Sequence, residues 1–464
     1  MSTKNISFDR VMLGCVFLFA WWAVFDVAIM NGDDVVHFAS ALHGVLAPKF
    51  HSAWTPNRII DIYGRTLFSS IFSFTFFSIN GIIKVSFFTL YKLVSASFFA
   101  VFVTCSFSYF LKKAAAPETN RGFKLMFSLF FAVVTLQVFF WKNQVHFICY
   151  QLPGFLTFVL LKMTFEAKER KLSDSAFTGF LFLSYLCNFS LESFTLTIFI
   201  FSLFLLLLEM KANTGLNPAR LWTHLKQNSY SRLLLINLFF GSISLLITVL
   251  FSDRSKGVAS ANFVGGIRFF LESRMMPIGI VLLLLCVAVL VLKARRKPER
   301  ESDFAYGFYF ALYLGAAVLI STYLISAKSN TNYFDMESYP WGDLMLVGKL
   351  ALVYLVGISV ARLASRAPRF QPVLALVLIV LFSRLIYFFF DHVEKDSIAS
   401  VQAGRVYAAV AAGSTDAITT GFDLDAIPMP VRPFPTASSP QWFKDSYRAT
   451  FAKYYGIKVL PDFR

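Results

Sequence analysis

The feature of this sequence that most constrains its fold is a series of long apolar runs, repeated from one end of the chain to the other. A bilayer core about 30 Å thick requires a helix of about 20 mostly apolar residues. Runs of that length alternate here with short charged clusters, and 57% of the residues are hydrophobic while 15% are charged. The sequence therefore predicts an all-α, polytopic membrane protein.

About 11 apolar runs are long enough to be membrane spans. They cover residues 11–30, 85–111, 122–141, 145–161, 175–190, 192–209, 233–251, 277–292, 304–326, 346–364 and 372–390. The run at residues 66–83 is also apolar, but a full crossing there would invert every later loop. We therefore expect it to be a re-entrant or interface-lying helix, or part of a broken span. No small-residue cleavage site follows the first run, so we expect that run to be a retained span and not a signal peptide.

Lysine and arginine clusters predict the sidedness of the chain, because they favour the cytoplasmic face. Clusters such as "KMTFEAKERK" and "KARRKPER" fall on the same side as the N-terminus. The prediction is a bacterial inner (plasma) membrane protein with its N-terminus in the cytoplasm and its C-terminus in the periplasm. We expect a transmembrane domain over residues 1–390, with a first outer loop at 31–65, and a small periplasmic cap domain over residues 391–464.

Several classes of site are disfavoured by the sequence. The five cysteines are scattered, without the spacing of a disulfide framework or a metal site. His37, His43 and His51 fit no zinc template, so no metal ligands are predicted, although a divalent cation remains open. No P-loop or dinucleotide fingerprint occurs, so we expect no nucleotide cofactor, and we expect no nucleic-acid partner.

The adjacent carboxylates Asp33 and Asp34, in "MNGDDVVH", directly follow the first span. Gly-Asp-Asp at such a position can simply form a turn or cap the next helix. A carboxylate beside a low-dielectric surface can also have its pKa raised and act as a general base on a lipid-linked substrate. Both interpretations stay open, and the pair is the first catalytic candidate.

The segment "WTPNRIIDIYGRTLF" places Trp54, Arg58 and Arg65 in the same outer loop. Arg58, Asp61 and Arg65 would share one face of a helix. Such a helix could rest its arginines on lipid headgroups, or the guanidinium groups could bind the phosphate of a substrate in bidentate fashion. Either use requires a helix at the membrane interface.

Three further outer residues are candidates for substrate binding, together with His37 of the first loop. Glu192 lies in the short turn "CNFSLESF", where it is either a solvated turn residue or a site carboxylate. Lys142 and His146, in "WKNQVHF", are either interface anchors or sugar-contacting groups. In the tail, Trp442, Phe443, Tyr447 and Tyr454 have a helical spacing that favours packing over stacking on sugar rings.

An N-terminal span, an acidic first outer loop, many further spans and an outer C-terminal tail together resemble the membrane glycosyltransferases of the C-type fold. "DDVVHF" is similar to the acidic first-loop motif of protein mannosyltransferases and aminoarabinose transferases. "WTPNRIIDIYGR" and "NFSLES" resemble segments of the serotype-converting O-antigen glucosyltransferases.

The resemblance implies an inverting enzyme that moves a sugar, glucose in the nearest case, from a polyprenyl-phosphate donor to a surface polysaccharide or a lipid-linked glycan. It also implies that the first acid of the pair, Asp33, is the base. An O-antigen polymerase or ligase would have a similar layout. A non-enzymatic lipid or glycan flippase is a third reading, although we find no clear internal repeat of the kind transporters show.

Overall fold

The computed structural model describes most of the apolar runs and few of the long loops. The described residues are 8–28, 30, 34, 65–114, 121–139, 147–169, 172–214, 228–251, 262–273, 276–277, 279–281, 284, 303–329, 332, 334, 346–412, 435–436, 438–441, 444–445 and 447–449. About 90% of this part of the chain is helical, and it contains no strand. The prediction of an all-α chain is confirmed for these residues.

Twelve α-helices follow one another along the described residues. They are α1 (Phe8–Val27), α2 (Arg65–Ile82), α3 (Phe87–Ala114), α4 (Arg121–Phe139), α5 (Leu152–Glu166), α6 (Asp174–Asn188), α7 (Glu192–Thr214), α8 (Ser229–Phe251), α9 (Phe263–Glu272), α10 (Asp303–Ser329), α11 (Leu346–Arg366) and α12 (Gln371–Ala411). A π-helical turn, Phe147–Gln151, precedes α5, and a 3₁₀ turn, Pro368–Phe370, precedes α12.

Within the described residues, eight segments are long and apolar enough to cross a membrane. They are Arg10–Val27, Phe88–Tyr109, Phe147–Glu166, Glu192–Lys211, Ser229–Phe251, Ala305–Lys328, Leu346–Arg366 and Pro368–Asp391. All eight coincide with predicted spans, within a few residues at each end. The predicted span at 277–292 lies mostly outside the described residues.

The chain divides into two compact units. Unit one comprises Met1–Pro48, Tyr63–Ile148 and Ala364–Arg464, and unit two comprises Lys49–Ile62 and Cys149–Leu363.

In unit one, α1 packs mainly on α3, and the two helices are antiparallel. The indole Nε1 of Trp21 donates to Ser97 Oγ (3.2 Å), and farther along α1 the Phe25 ring lies 4.8 Å from the ammonium of Lys92. A later position in α1 therefore contacts an earlier position in α3, as in an antiparallel pair. Small buried residues on both helices, such as Ala20 and Ala96, allow the backbones to approach closely.

The long helix α12 also packs on α1, but in a parallel direction. Phe19 contacts Phe389 with ring centroids 5.5 Å apart, and Ser400 Oγ donates to the carbonyl of Ala28 (3.3 Å). With 41 residues, α12 is about 60 Å long, roughly twice the thickness of a bilayer core. The helix therefore continues well past residue 390, where we expected a separate cap domain to begin. That the tail forms a separate domain stays a prediction.

Helix α2 occupies the run that we expected to be a re-entrant or interface helix. Phe72, near its middle, packs edge-on against Tyr91 in the second turn of α3 (6.1 Å). Because α3 runs antiparallel to α1, the chain between α1 and α3 makes no net crossing. This arrangement agrees with α2 lying near one end of the spans.

Unit two is held together by a buried polar network that joins four helices. The side-chain oxygen of Asn237, in α8, accepts from Ser184 Oγ of α6 (2.7 Å). The amide nitrogen of Asn237 donates to Thr164 Oγ1 of α5 and to Ser202 Oγ of α7, both at 3.2 Å. All four side chains are fully buried. Hydrogen bonds between apolar helices fix which helices pair and at which level.

The same unit encloses a buried lysine. The ammonium of Lys162, in α5, lies 3.1 Å from Glu166 and faces the rings of Tyr354 (4.9 Å), Phe310 (5.0 Å) and Tyr306 (5.9 Å). The sequence placed Lys162 just beyond a span, in a cytoplasmic basic cluster. The structure instead extends the helix to Glu166 and buries the lysine side chain among aromatic rings, which attract a cation through their faces.

Candidate functional site

The described residue of the acidic pair, Asp34, is fully buried at one end of unit one. Its carboxylate accepts a hydrogen bond from the phenol of Tyr91 (2.5 Å), which lies in the second turn of α3. A charge-assisted hydrogen bond of this kind is about twice as strong as a neutral one. The pairing fixes the chain at Asp34 against α3.

Aromatic side chains from α3 and α12 pack around Tyr91, the partner of this carboxylate. Phe88 stacks on Tyr407 of α12 (5.0 Å) and lies parallel to Tyr91 (6.4 Å). The phenol of Tyr407 in turn reaches the backbone carbonyl of Met30, at the end of α1 (3.5 Å). Gly404 allows this approach, because a Cβ there would lie 3.2 Å from the Phe88 ring. Three helices thus converge on the few residues around Asp34.

The C-terminal segment contributes Tyr447 to the same cluster. Tyr447 is fully buried, and its phenol lies beside Tyr407 and near both Asp34 and Tyr91. Burial raises the pKa of the Tyr447 phenol well above its ordinary value, and the neighbouring Tyr407 and Asp34 raise it further. At neutral pH this hydroxyl is therefore protonated. We define the phenol cluster as Tyr91, Tyr407 and Tyr447 around Asp34.

A short turn places Tyr447 in the cluster. Ser439 Oγ accepts from the backbone N–H of Thr436 (2.9 Å), and Lys444 N donates to the carbonyl of Pro440 (3.2 Å), so a helical turn begins at Pro440. This agrees with the helical spacing predicted for the aromatic residues of the tail, as far as the described residues extend. Since Tyr447 is buried, its ring packs inside the protein, as its spacing favoured, and does not present a face for stacking on sugar.

Glu192 is the other predicted site residue whose surroundings are described, and it belongs to unit two. It is the first residue of α7, half-buried, where a negative charge is favoured by the helix dipole. The turn before it is held by Ser190 Oγ, which donates to Cys187 O (2.7 Å), and by Thr195 Oγ1, which donates to Asn188 O (2.8 Å). These polar residues of "NFSLES" therefore have a structural role.

Three helices of unit two, α5, α7 and α11, begin near Glu192. A Cβ on Gly154, in the first turn of α5, would lie 2.7 Å from Leu346 Cδ2 of α11 and 3.2 Å from Phe194 Cζ of α7. Helices α5, α7 and α11 thus begin at the same level, as alternate spans of a bundle do.

Within the described residues, the structure brings none of the other predicted site residues to the phenol cluster or to the turn before Glu192. Arg65 begins α2. Six lie outside the described residues: Asp33, His37, Trp54, Arg58, Lys142 and His146. In the part of the chain that is described, no group of three or more His, Cys, Asp and Glu side chains could hold a metal ion.

Sequence reasoning did not single out Tyr91 and Tyr407. Each is a phenol in a largely apolar helix, and each lies at the end of a helix that the predicted topology places on the same face as the acidic pair. That combination is the signal that could have identified them.

Comparison of the sequence with known protein families and with curated proteins gives no match.

Proposed function

We propose that the protein is an inverting membrane glycosyltransferase that moves a sugar, glucose in the nearest resemblance, from a polyprenyl-phosphate donor to a polysaccharide of the O-antigen type. The main support is the buried carboxylate of Asp34, which the phenol cluster holds at the end of a membrane span. Buried ionisable groups at such positions are costly and mark functional sites.

The proposed step joins an acceptor hydroxyl to the anomeric carbon of the donor sugar. As the new C–O bond forms, the bond from the anomeric carbon to the phosphate oxygen breaks, and polyprenyl phosphate leaves. Asp33 accepts the proton of the hydroxyl. Arg58 and Arg65 stabilise the charge that develops on the leaving phosphate.

In this scheme Asp34 is a positioning residue. A fully buried carboxylate that is engaged with Tyr91 is poorly placed to reach an acceptor, but it anchors the backbone that carries the preceding residue, Asp33. Tyr447 brings the C-terminal segment to the same point, which supports a role for the tail as a cap over the acidic pair.

The distribution of basic residues supports a periplasmic location for the cluster. In unit one, the ends of the helices far from Asp34 are basic: Arg10 lies near the start of α1, Lys112 and Lys113 near the end of α3, and Arg366 and Arg369 before α12. The Asp34 end also has basic residues, such as Lys92, but these are accompanied by acidic ones, such as Asp26. Basic ends favour the cytoplasm, so the Asp34 end would face the opposite side, as a lipid-linked sugar donor requires.

The directions of the helices also bear on the number of spans. Because α1 and α12 run parallel, an odd number of crossings must lie from α1 to α12 inclusive. The eight segments that meet the length and hydropathy requirement are an even number. The sequence prediction adds α4, α6 and the span at 277–292, and its total of eleven satisfies this requirement.

Reporter fusions test this topology. Alkaline phosphatase fused after His51 and after Arg464 should be active at both positions, because that enzyme folds only after export. A fluorescent reporter that requires the cytoplasm should be dark at both positions and bright when fused in the 215–227 loop. Cytoplasmic behaviour of either outer fusion would contradict the sidedness and the reaction scheme together.

The activity itself is tested by comparing surface glycans, by mass spectrometry, from cells with and without the gene. We expect a hexose modification that depends on the gene, and transfer from polyprenyl-phosphate glucose by the purified protein. Identical glycans in both strains, together with no turnover of the purified donor, would refute the proposal. Movement of the intact lipid-linked sugar across vesicles without any transfer would instead indicate a flippase.

The role of the tail is tested at Tyr447. Truncating this buried ring with Tyr447→Ala should cost about 3–5 kcal/mol of packing and detach the C-terminal segment from α12. We expect faster proteolysis between residues 413 and 434 and a loss of transfer to the polysaccharide.

The matched control is Arg448→Ala, which changes an exposed neighbour in a surface ion pair with Asp445 (3.3 Å). It should behave as wild type. If Tyr447→Ala retains wild-type proteolysis and transfer, the tail is not a cap. A truncation should end after Ala412, since a cut at residue 395 would also remove Ser400 and Tyr407, which contact the backbone of Ala28 and Met30.

A further inference from the structure

Helix α9 has three distinct faces, formed by residues three or four positions apart. Gly266 and Phe270 face the protein, where Phe270 packs on the buried ring of Phe334 (5.2 Å). Arg268 and Glu272 form an exposed charged face and pair with each other (2.7 Å). The third face is apolar and at least half exposed, and it consists of Phe263, Val264, Ile267 and Leu271.

Contacts with α10 fix the level of α9 relative to a membrane span. The backbone N–H of Asn262 donates to Ala327 O (2.9 Å), and the phenol of Tyr323 donates to Phe263 O (3.1 Å). A Cβ on Gly266 would lie 2.9 Å from the Ala327 Cβ, so the two helices are in close contact. The apolar span of α10, Ala305–Lys328, ends at this point. Helix α9 therefore lies at the boundary of the apolar layer.

The chain returns into the apolar layer directly after α9. Gly279 lies against Phe270 and against Leu319, which is two turns back along α10. Helix α9 is thus a short segment that runs along one end of α10 before the chain turns inward. Its ends are defined locally, because Asn262 Oδ1 accepts from Gly265 N (2.7 Å) and Ser273 N donates to Phe270 O (3.2 Å).

We propose that α9 is an interfacial helix whose apolar face, Phe263, Val264, Ile267 and Leu271, is embedded in the headgroup–acyl boundary of the bilayer. A helix lying flat at that level has acyl chains below it, water above it and protein beside it, and the three faces of α9 match these surroundings. An amphipathic helix with such a face binds in the plane of the interface. Arg254, Lys256 and Arg274 flank it in the sequence and suit an anionic headgroup surface.

Spin labels on single cysteines test this proposal in lipid nanodiscs of phosphatidylethanolamine and phosphatidylglycerol, with the five native cysteines replaced. Labels at Val264→Cys and Ile267→Cys should collide with oxygen, which partitions into acyl chains, several-fold more than with a water-soluble nickel chelate. Arg268→Cys and Glu272→Cys are the matched controls on the charged face, and their ratio should be reversed.

Two results would overturn the proposal. Nickel accessibility at both 264 and 267 would mean that the face lies in water. Exclusion of both collision reagents would mean that protein covers it. Because all four positions are exposed, the substitutions leave the packed face of α9 intact. Labelling two apolar positions shows whether a result at one of them is an artefact of that label. The outcome does not depend on glycosyltransferase activity, so the two proposals can fail separately.

Discussion

Replacing Asp33 with asparagine should abolish sugar transfer while leaving expression and membrane insertion intact. The change removes one negative charge at nearly constant volume, so it eliminates the proposed base without opening a cavity. General-base catalysis contributes typically about 10²–10⁴-fold to a rate, and we expect a loss of that size. The measurement is turnover of polyprenyl-phosphate glucose by the purified protein, with surface glycans analysed in parallel.

The neighbouring carboxylate provides the control. Asp34→Asn keeps an acceptor for the Tyr91 phenol but loses the charge assistance, so we expect a loss of only about tenfold. Tyr91→Phe removes the other half of the same hydrogen bond and should have a similar effect. Because the two changes break one interaction, their combination should cost little more than either alone. If Asp34→Asn is the inactive variant and Asp33→Asn retains transfer, the roles of the two acids are reversed.

The helical architecture was predictable because each span carries its own signal. An apolar run of about 20 residues between charges is a local pattern, and the ends of α3, α7 and α10 lie within a few residues of the predictions. A local pattern does not predict the end of a helix that extends beyond its apolar run. Helix α12 continues through "DHVEKDSIASVQAGRVYAAVA", where the backbone carbonyls of Ala28 and Met30, just beyond the end of α1, provide partners for Ser400 and Tyr407. No property of the segment alone reveals that contact.

The candidate site was predictable only in part, for a similar reason. The acidic pair stands out because two carboxylates beside a span are costly. The groups that surround Asp34 come from positions 91, 407 and 447, and only the packing of α1 against α3 and α12 brings them together. The surroundings of Lys162 could not be predicted either. Its place after an apolar run indicates the end of a span, but not that aromatic residues of α10 and α11 enclose it.

The second large effect that we expect concerns the stability of unit two. Asn237→Leu keeps the number and branching of the side-chain heavy atoms, although two methyl groups are larger than an amide, and removes the centre of the network that joins α5, α6, α7 and α8. Ser184 loses its acceptor, and Thr164 and Ser202 lose a donor, at a site with no exposure to solvent. Hydrogen bonds between membrane helices contribute about 0.6 kcal/mol each on average, and a buried group left without its partner costs about 1–3 kcal/mol.

We therefore expect Asn237→Leu to destabilise the protein by about 3 kcal/mol, measured as thermal unfolding in detergent micelles. The control is Leu246→Ala on the exposed side of the same helix, which should change the unfolding temperature little.

Thr164→Val and Ser202→Ala each remove one branch of the network and should have smaller effects. In the Asn237→Leu background they should add almost nothing, since their partner is already gone. Equal stability of Asn237→Leu and Leu246→Ala would show that the network does not hold the four helices together. If Thr164→Val or Ser202→Ala destabilises the Asn237→Leu protein as much as it destabilises the wild type, the hydroxyl it removes stabilises the protein through contacts other than Asn237.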